Sequence, residues 1–225
     1  MANFPTDAER FGWLERDGDD FPYYRGSPVG ISTGGWLVVL AGVALGFAVL
    51  LLGPRFVGAG SARFLLAFLF WAIPLAALAL VAGRDWTALF RRLRAVDFLW
   101  MIGFAILNAL VTLVTGSLIT HLTDATANTA VTGAGQMEAG RALHFFAMTG
   151  IQLIGEEVTS ILPFLALLYW FGGRGGVGRK TAITLATLIV AVLFAVEHGP
   201  TYDWNLLQML LGVGVARIVL LLPYT

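Results

Sequence analysis

Of the 225 residues, 58% are apolar and 12% are charged, and that charged share is about half of what a soluble domain carries. Fourteen Lys and Arg balance fourteen Asp and Glu, and cysteine is absent, which excludes a polycationic nucleic-acid module, disulfides, thiolate catalysis and zinc–thiolate sites. So few charges cannot solvate a soluble fold this apolar. The composition therefore predicts a protein whose solvent is mostly lipid, with its chemistry left to His, Asp and Glu.

Residues 1–30 differ in composition from the rest of the chain. They carry six acidic residues against three arginines, with aromatic residues interspersed. No short cationic start leads into an apolar core, so the pattern is not that of a signal peptide. This segment is predicted to be a polar, solvated tail on the cytoplasmic side, with part of it on the membrane interface.

Six later segments have the length and apolar character of membrane spans, for which about 20 residues are needed. They are 31–53, 62–83, 98–120, 144–171, 181–198 and 206–222. Pro54 closes the first, and Pro74 lies inside the second, where neighbouring helices can satisfy the freed carbonyl. The sequence therefore predicts an all-α polytopic helix bundle.

A cationic stretch, RDWTALFRRLRAVDFLW, separates the second span from the third. Its apolar residues Trp86, Leu89, Phe90 and Leu93 recur at helical spacing among arginines. This pattern is typical of an amphipathic helix on the membrane surface, with cations that reach the headgroups. Residues 31–97 are thus predicted to hold two spans and one interfacial helix.

The cations are unevenly shared between the two sides of the predicted membrane. Ten lie in the tail and in the second and fourth loops, and three lie on the other side. Because cytoplasmic loops carry an excess of Lys and Arg, this places the N-terminus in the cytoplasm, with a bacterial plasma membrane as the expected location. The nearly uncharged loop 121–141 is predicted to face outward.

Ionisable residues within spans are costly, at roughly 2.5–3.5 kcal/mol each on insertion scales, and therefore mark candidate functional sites. Glu156 and Glu157 lie in the fourth span, His198 ends the fifth and Arg217 lies in the sixth. The adjacent glutamates point about 100° apart around a helix, so they cannot share one role. Gly155 before them permits a close backbone approach. The alternative is that both are protonated and make only structural hydrogen bonds between helices.

Glu156 and His198 are expected at similar depths on consecutive antiparallel helices. Counting 1.5 Å per residue places them about 22 and 27 Å from the loop that joins the two helices. A carboxylate and an imidazole that meet can bind and deprotonate a water, with Glu156 as general base and His198 holding the water or stabilising the oxyanion. The alternative for His198 is an ordinary interfacial residue, since Pro200 ends the helix nearby.

The other polar residues in or beside the spans have simpler readings. Arg217 is predicted to pair with Glu157, or alternatively to extend from a tilted helix to the interface. Asn108, His121 and His144 are expected to cap helices or to make interhelical hydrogen bonds. No HExxH motif is present, so neither a metal nor another cofactor is expected.

A GEE sequence at 155–157, followed by Phe194-x-x-x-His198 on the next predicted helix, resembles the CPBP family over about residues 98–225. These are CAAX-prenyl-protease-type intramembrane glutamic endopeptidases, also called Abi or bacteriocin-processing proteins. The resemblance implies that Glu156 activates water, assisted by His198, with Glu157 and Phe194 as supporting residues. Arg217 and Asn108, which match none of the family's motifs, are added as supporting residues because they are polar groups within spans. Ile161 stands where the family has an arginine, and the third motif, HxxxN or HxxxD, is missing. We therefore expect that the chain is truncated at Thr225 and that the intact protein has at least seven spans. The alternative is an inactive protein that has lost part of its oxyanion machinery.

The resemblance implies proteolysis without a metal or a covalent nucleophile, on a membrane-associated peptide or protein substrate. Prenylated substrates are not expected, because the predicted depth puts the site in the outer half of the membrane. The alternatives are a non-catalytic membrane protein on the same fold, such as a bacteriocin-immunity partner or scaffold, and a proton-coupled carrier that uses these groups as a relay. No nucleic-acid partner is expected, and the pattern does not indicate an oligomeric state.

Overall fold

The computed structural model describes residues 10–12, 15, 20–58, 61–90, 93–128 and 137–224. Throughout these ranges the secondary structure is helical, with no β-strand. Six helices are long and apolar enough to cross a membrane, which indicates an integral membrane protein. The protein is an all-α polytopic bundle, as its composition predicts.

The six predicted spans are confirmed as helices, with ends that differ from the predicted ones by at most five residues. The helices are α1 (Thr33–Leu52), α2 (Ser61–Ala82), α3 (Ala95–Leu122), α4 (Ala139–Leu168), α5 (Arg179–Glu197) and α6 (Leu206–Tyr224). A π-helical turn, Tyr169–Arg174, continues α4, and another, Met209–Gly214, interrupts α6. Such turns leave the regular hydrogen-bond ladder locally open.

Polar side chains mark several of the helix starts. The Ser32 hydroxyl accepts a hydrogen bond from the N–H of Gly35 at 3.1 Å, and the Asp97 carboxylate accepts one from the N–H of Arg94 at 2.6 Å. Asn205 caps α6 by accepting from the N–H of Gln208 at 3.1 Å. These bonds satisfy amide groups that a helix start leaves without an intrahelical partner.

The chain divides into two compact units. One comprises Pro22–Phe90 and Gly133–Trp170, and therefore contains α1, α2 and α4; the other comprises Met1–Phe21, Arg91–Thr132 and Phe171–Thr225, and contains α3, α5 and α6. We call them the α1–α2–α4 unit and the α3–α5–α6 unit. The sequence segment 98–225, to which the family resemblance applies, contributes to both.

Close backbone approach at glycine holds the α1–α2–α4 unit together. A Cβ atom at Gly46 of α1 would lie 2.6 Å from the carbonyl oxygen of Phe70 in α2, and one at Gly155 of α4 would overlap the Phe70 ring. Small residues at such crossings let membrane helices pack by van der Waals contact, since burial against lipid provides no hydrophobic drive. The predicted close approach at Gly155 is therefore confirmed.

Where an interfacial amphipathic helix is predicted between the second and third spans, the structure has a shorter helix than the sequence pattern indicates, and its place on the membrane surface stays a prediction. Gly83, in a left-handed conformation at φ +60°, ends α2, and a seven-residue 3₁₀ helix, Gly83–Leu89, follows. Phe90 and Arg94 then have extended backbones before α3 begins. The extended backbone at Phe90 interrupts the helical spacing that runs from Trp86 to Leu93; Arg91 and Arg92 lie outside the described residues.

The prediction of a solvated N-terminal tail is wrong for only some of the residues that the structure describes there, since Gly12 and residues 25–28 are exposed. Arg10, Glu15 and Phe21 are buried. Glu15 and Asp20 are buried or half-buried because both carboxylates bind Arg179 at the start of α5. In the α1–α2–α4 unit, the Tyr23 hydroxyl donates to the carbonyl oxygens of Asp85, at 2.8 Å, and Trp86, at 3.1 Å.

Candidate active site

The twin glutamates of α4 lie in different surroundings, as their angular separation predicts. Glu156 is half-buried, whereas Glu157 is exposed. The amide nitrogen of Gln152, one turn earlier, donates to Oε1 of Glu156 at 3.2 Å. Both glutamates have further interactions, but the Gln152 amide gives Glu156 an oriented donor on its own helix face.

Contacts with α2 and within α4 fix the helix turn that carries Glu156. Gly155 packs against the Phe70 ring of α2, and the buried Ser160 hydroxyl donates to the carbonyl oxygen of Glu156 at 2.8 Å. The Thr159 hydroxyl donates to the carbonyl oxygen of Gly155 at 2.8 Å. Both hydroxyls thus donate their hydrogen bonds within α4. The Glu156 carboxylate therefore extends from a backbone that these contacts fix.

Three residues of the α3–α5–α6 unit form a layered contact, which we call the Arg217–Phe194–His198 stack. The guanidinium carbon of Arg217 lies 4.6 Å from the centre of the Phe194 ring. The centres of the Phe194 and His198 rings are also 4.6 Å apart, with the planes tilted by 50°. The conjunction of Phe194 and His198 is what a spacing of four residues on one helix face predicts.

A hydrogen bond to the backbone sets the orientation of the His198 ring. Nδ1 lies 2.8 Å from the carbonyl oxygen of Phe194. A carbonyl can only accept, so Nδ1 carries the proton in this contact and a neutral ring presents Nε2 as its acceptor nitrogen. His198 is the C-cap residue that directly follows α5, so its ring lies at the end of that helix.

Arg217 does not reach the membrane surface along an exposed face. Its residue surface is only 1% exposed, so the alternative in which it extends to the interface is wrong. The guanidinium is enclosed because the π face of Phe194 attracts a cation in a site from which solvent is excluded. Glu157, its predicted partner, belongs to the α1–α2–α4 unit, and that pairing stays a prediction.

The turn after His198 is a feature that the sequence analysis missed. Asp203 and Trp204 both have left-handed backbones, at φ +49° and +59°, which non-glycine residues seldom adopt. The Trp204 indole covers Gly199 so closely that a Cβ atom there would lie 2.6 Å from it, and the N–H of Trp204 donates to the carbonyl oxygen of Gly199 at 2.9 Å. The chain segment next to His198 is thus tightly constrained.

Two amides at the start of α6 were also missed. The side chain of Gln208 accepts from the N–H of Thr126 at 2.9 Å and donates to its carbonyl oxygen at 2.8 Å. Asn205 donates to the carbonyl oxygen of Asp124 at 3.1 Å. The N-x-x-Q spacing is a helix-start signal, so the cap could have been found, but its partner in the chain after α3 could not.

The other polar candidates, His121, His144 and Asn108, lie among groups of their own unit. His121 Nδ1 lies 2.7 Å from the carbonyl oxygen of Ser117 on its own helix, and the His144 ring packs edge-on to Phe64 at 4.8 Å. Oδ1 of Asn108 is enclosed but accepts no hydrogen bond from the described residues, so this oxygen does not make the predicted interhelical bond.

The structure therefore assembles the predicted site in two parts. Glu156 and Glu157 lie in the α1–α2–α4 unit, and Asn108, Phe194, His198 and Arg217 lie in the α3–α5–α6 unit. Within the described ranges, no three His, Asp or Glu side chains cluster as metal ligands. The meeting of Glu156 with His198 stays a prediction.

No protein-family model, curated protein or solved structure matches the chain. The class defined by the fold is that of a polytopic membrane protein with six apolar helices. Its resemblance to the CPBP family is carried by the glutamate pair and by Phe194-x-x-x-His198, and it enters below as part of a proposal.

Proposed function

We propose that this protein is an intramembrane endopeptidase, similar to CAAX-type glutamic proteases, that hydrolyses a membrane-associated peptide or protein. Glu156 is the general base and His198 is its partner. The observation that carries the proposal is the His198 ring, whose Nδ1 is engaged by the carbonyl of Phe194 at 2.8 Å. That contact presets one tautomer, as a catalytic imidazole requires.

The contact at Nδ1 favours one of the two roles considered for His198. With Nδ1 protonated, Nε2 of the neutral ring can accept a hydrogen bond from water but cannot donate one to an oxyanion. His198 therefore orients the water, and Glu156 removes its proton as the oxygen attacks the scissile carbonyl. The protonated Glu156 then transfers this proton to the amine nitrogen as the C–N bond breaks. Glu156 is thereby returned to its ionised form.

Two neighbouring contacts fit this division of work. The guanidinium carbon of Arg217 lies 4.6 Å from the centre of the Phe194 ring, the same ring that His198 contacts. The Gln152 amide donates to Oε1 of Glu156 at 3.2 Å and so orients the carboxylate that acts as the base.

We place the protein in a bacterial plasma membrane with its N-terminus in the cytoplasm. The support is the sequence count of ten cations against three on alternate sides of the spans. Reporter fusions after Arg84 and within 129–136 should report opposite sides of the membrane.

The catalytic test is cleavage of a membrane-anchored peptide library by the purified chain in nanodiscs. Glu156→Gln and His198→Ala should each abolish cleavage, because one removes the base and the other the water ligand. Glu138→Gln and His121→Ala are matched controls, since both residues are exposed and lie outside the proposed machinery. Cleavage that survives Glu156→Gln would refute the proposed base, and inhibition by chelators would indicate a metalloprotease.

The meeting of the two groups can be tested without a substrate, because the chain has no cysteine of its own. In a Glu156→Cys, His198→Cys double variant, oxidation should form a disulfide if the Cα atoms lie within about 7 Å of each other. Glu157→Cys with His198→Cys is the matched control, since residue 157 points about 100° away. A disulfide in the control pair alone would contradict the proposed dyad.

A proton-coupled carrier is the second candidate, and the enclosed Arg217 favours it to the extent that relays in membranes use buried ionisable groups. Such a carrier would take up protons in liposomes when a pH gradient is imposed, and Glu156→Gln would stop the uptake. Peptide cleavage without proton uptake would decide for the protease.

A further inference from the structure

The N-terminal segment is bound to the start of α5 by one arginine and two carboxylates. Arg179 donates from Nε and Nη2 to Oε2 of Glu15, at 2.9 and 2.7 Å, and from Nη1 to Oδ1 of Asp20 at 2.7 Å. The Arg179 and Glu15 side chains are each 2% exposed. We call the described residues 10–12, 15, 20 and 21 the N-terminal strap.

Aromatic rings complete this contact. The guanidinium carbon of Arg179 lies 4.9 Å from the centre of the Phe21 ring. The centre of the same ring lies 6.1 Å from that of Tyr224 in α6. The ammonium of Lys180 lies 5.8 Å from the Phe11 ring. The strap therefore contacts the N-terminal end of α5 and the C-terminal end of α6, and joins the two helices that carry the Arg217–Phe194–His198 stack.

Each acidic side chain of the strap is committed in more than one direction. The second oxygen of Glu15 accepts from the N–H of Phe11 at 3.0 Å, and Oδ1 of Asp20 accepts from the N–H of Phe21 at 2.8 Å. The spacing of Glu15, Asp20 and Phe21 is thus matched to a single guanidinium. Such a site selects an acidic–aromatic segment by geometry, as bidentate arginine contacts do.

The same contact gives specificity without a large net gain in stability. Two carboxylates share one cation in a site from which water is largely excluded, and desolvating buried charges offsets most of their attraction. An apolar contact of equal size would hold the segment more firmly. A charged, geometrically selective contact of this kind is suited to a segment that detaches and returns.

We propose that the N-terminal strap is a releasable ligand of a peptide-binding site, formed by Arg179, Lys180 and Tyr224, that recognises acidic–aromatic segments. The occupant in this structure is the chain's own segment. When the strap leaves, α5 and α6 lose one of the contacts that join them. This inference is independent of the proposed protease.

Paired spin labels can test the proposal in the full chain, because no native cysteine interferes. Gly12→Cys and Leu188→Cys suit labelling, since Gly12 has open space around it and Leu188 is 48% exposed. The labels should give one narrow distance distribution by pulsed electron resonance. A large excess of a synthetic peptide of residues 10–21 should broaden it, whereas the same peptide with Glu15→Gln and Asp20→Asn should not.

Substitutions in the chain test whether Arg179 binds the N-terminal strap, separately from whether the strap is released. Arg179→Gln should broaden the distribution, and the exchange Glu15→Arg with Arg179→Glu should narrow it again; Arg141→Gln, an exposed cation of the other unit, should leave it unchanged. If Arg179→Gln has no effect, this arginine does not fasten the strap. If Arg179→Gln broadens the distribution but the peptide does not, the strap is a permanent part of the fold and the proposal is wrong.

Discussion

The two units secure their ionisable groups by different means. In the α1–α2–α4 unit, an apolar crossing at Gly155 fixes the backbone, while the Glu156 carboxylate is only half-buried and has one amide donor on its own helix. In the α3–α5–α6 unit, charged and aromatic side chains themselves form the contacts, and Arg217 is almost completely enclosed. A rigid backbone with an adaptable carboxylate suits a group that gains and loses a proton. A clamped ring suits a group that presents one nitrogen.

The largest effect is expected when a larger side chain replaces Gly155, where α4 packs against Phe70. Gly155→Leu should destabilise the protein by about 3 kcal/mol or prevent folding, because the new side chain overlaps the Phe70 ring and overpacked cores relax poorly. Gly150→Leu is the matched control, since a Cβ atom there meets nothing within 4 Å. Thermal unfolding in detergent measures both, and equal midpoints for the two variants would contradict the packing described.

A second change addresses the enclosed cation. Arg217→Leu should cost about 2 kcal/mol, the upper range for a desolvated cation over an aromatic ring, and Arg217→Lys should cost less. The same denaturation assay gives the stability, and nitrogen chemical shifts of His198 report whether Nδ1 still carries the proton. Unchanged folding and an unchanged tautomer in Arg217→Leu would show that the stack does not orient the ring.

A third prediction uses Tyr23, which lies outside the membrane spans. Burial, reinforced by the Asp85 carboxylate, raises the pKa of the Tyr23 phenol to about 12, against about 10 in an unfolded chain. Its contribution to stability is therefore complete below pH 10 and is lost as the pH rises from 10 through 12. Tyr23→Phe should cost about 1 kcal/mol at neutral pH from the lost hydrogen bonds, and the difference from the native chain should shrink across that interval in denaturation curves.

The smallest effect is expected at the start of α6. Asn205→Ala should cost about 1 kcal/mol, the usual loss when a helix cap is removed. Hydrogen exchange should increase first in residues 123–126, which Asn205 and Gln208 hold. Leu206→Ala changes an exposed neighbour and should leave that exchange unaltered. Equal exchange in the two variants would show that the amides do not hold this segment.

The helices could be predicted because their signals are local. An apolar run of about 20 residues has few alternatives in lipid, where the backbone must satisfy its own hydrogen bonds. The four-residue spacing of Phe194 and His198 likewise predicts their contact, because one turn of helix separates them. The separate surroundings of Glu156 and Glu157 follow from the same geometry.

The sequence predictions failed where a tertiary contact or a break in the backbone overrode a local pattern. The acidic tail has the composition of a solvated segment, yet Arg179, 164 residues from Glu15 in the chain, draws it into the fold. The cationic stretch after α2 has helical spacing, yet the extended backbone at Phe90 ends its helix after Leu89. Nothing in the neighbouring sequence predicts that the Phe194 ring lies 4.6 Å from the Arg217 guanidinium.

The order of residues alone determined that the described part of this protein is a bundle of six apolar helices, because hydrophobic length and backbone hydrogen bonding are properties of each segment. Tertiary structure alone decided which helices share a unit, where the strap binds and what encloses Arg217. Those outcomes depend on contacts between residues far apart in the chain, whose free energies exist only once the helices have packed.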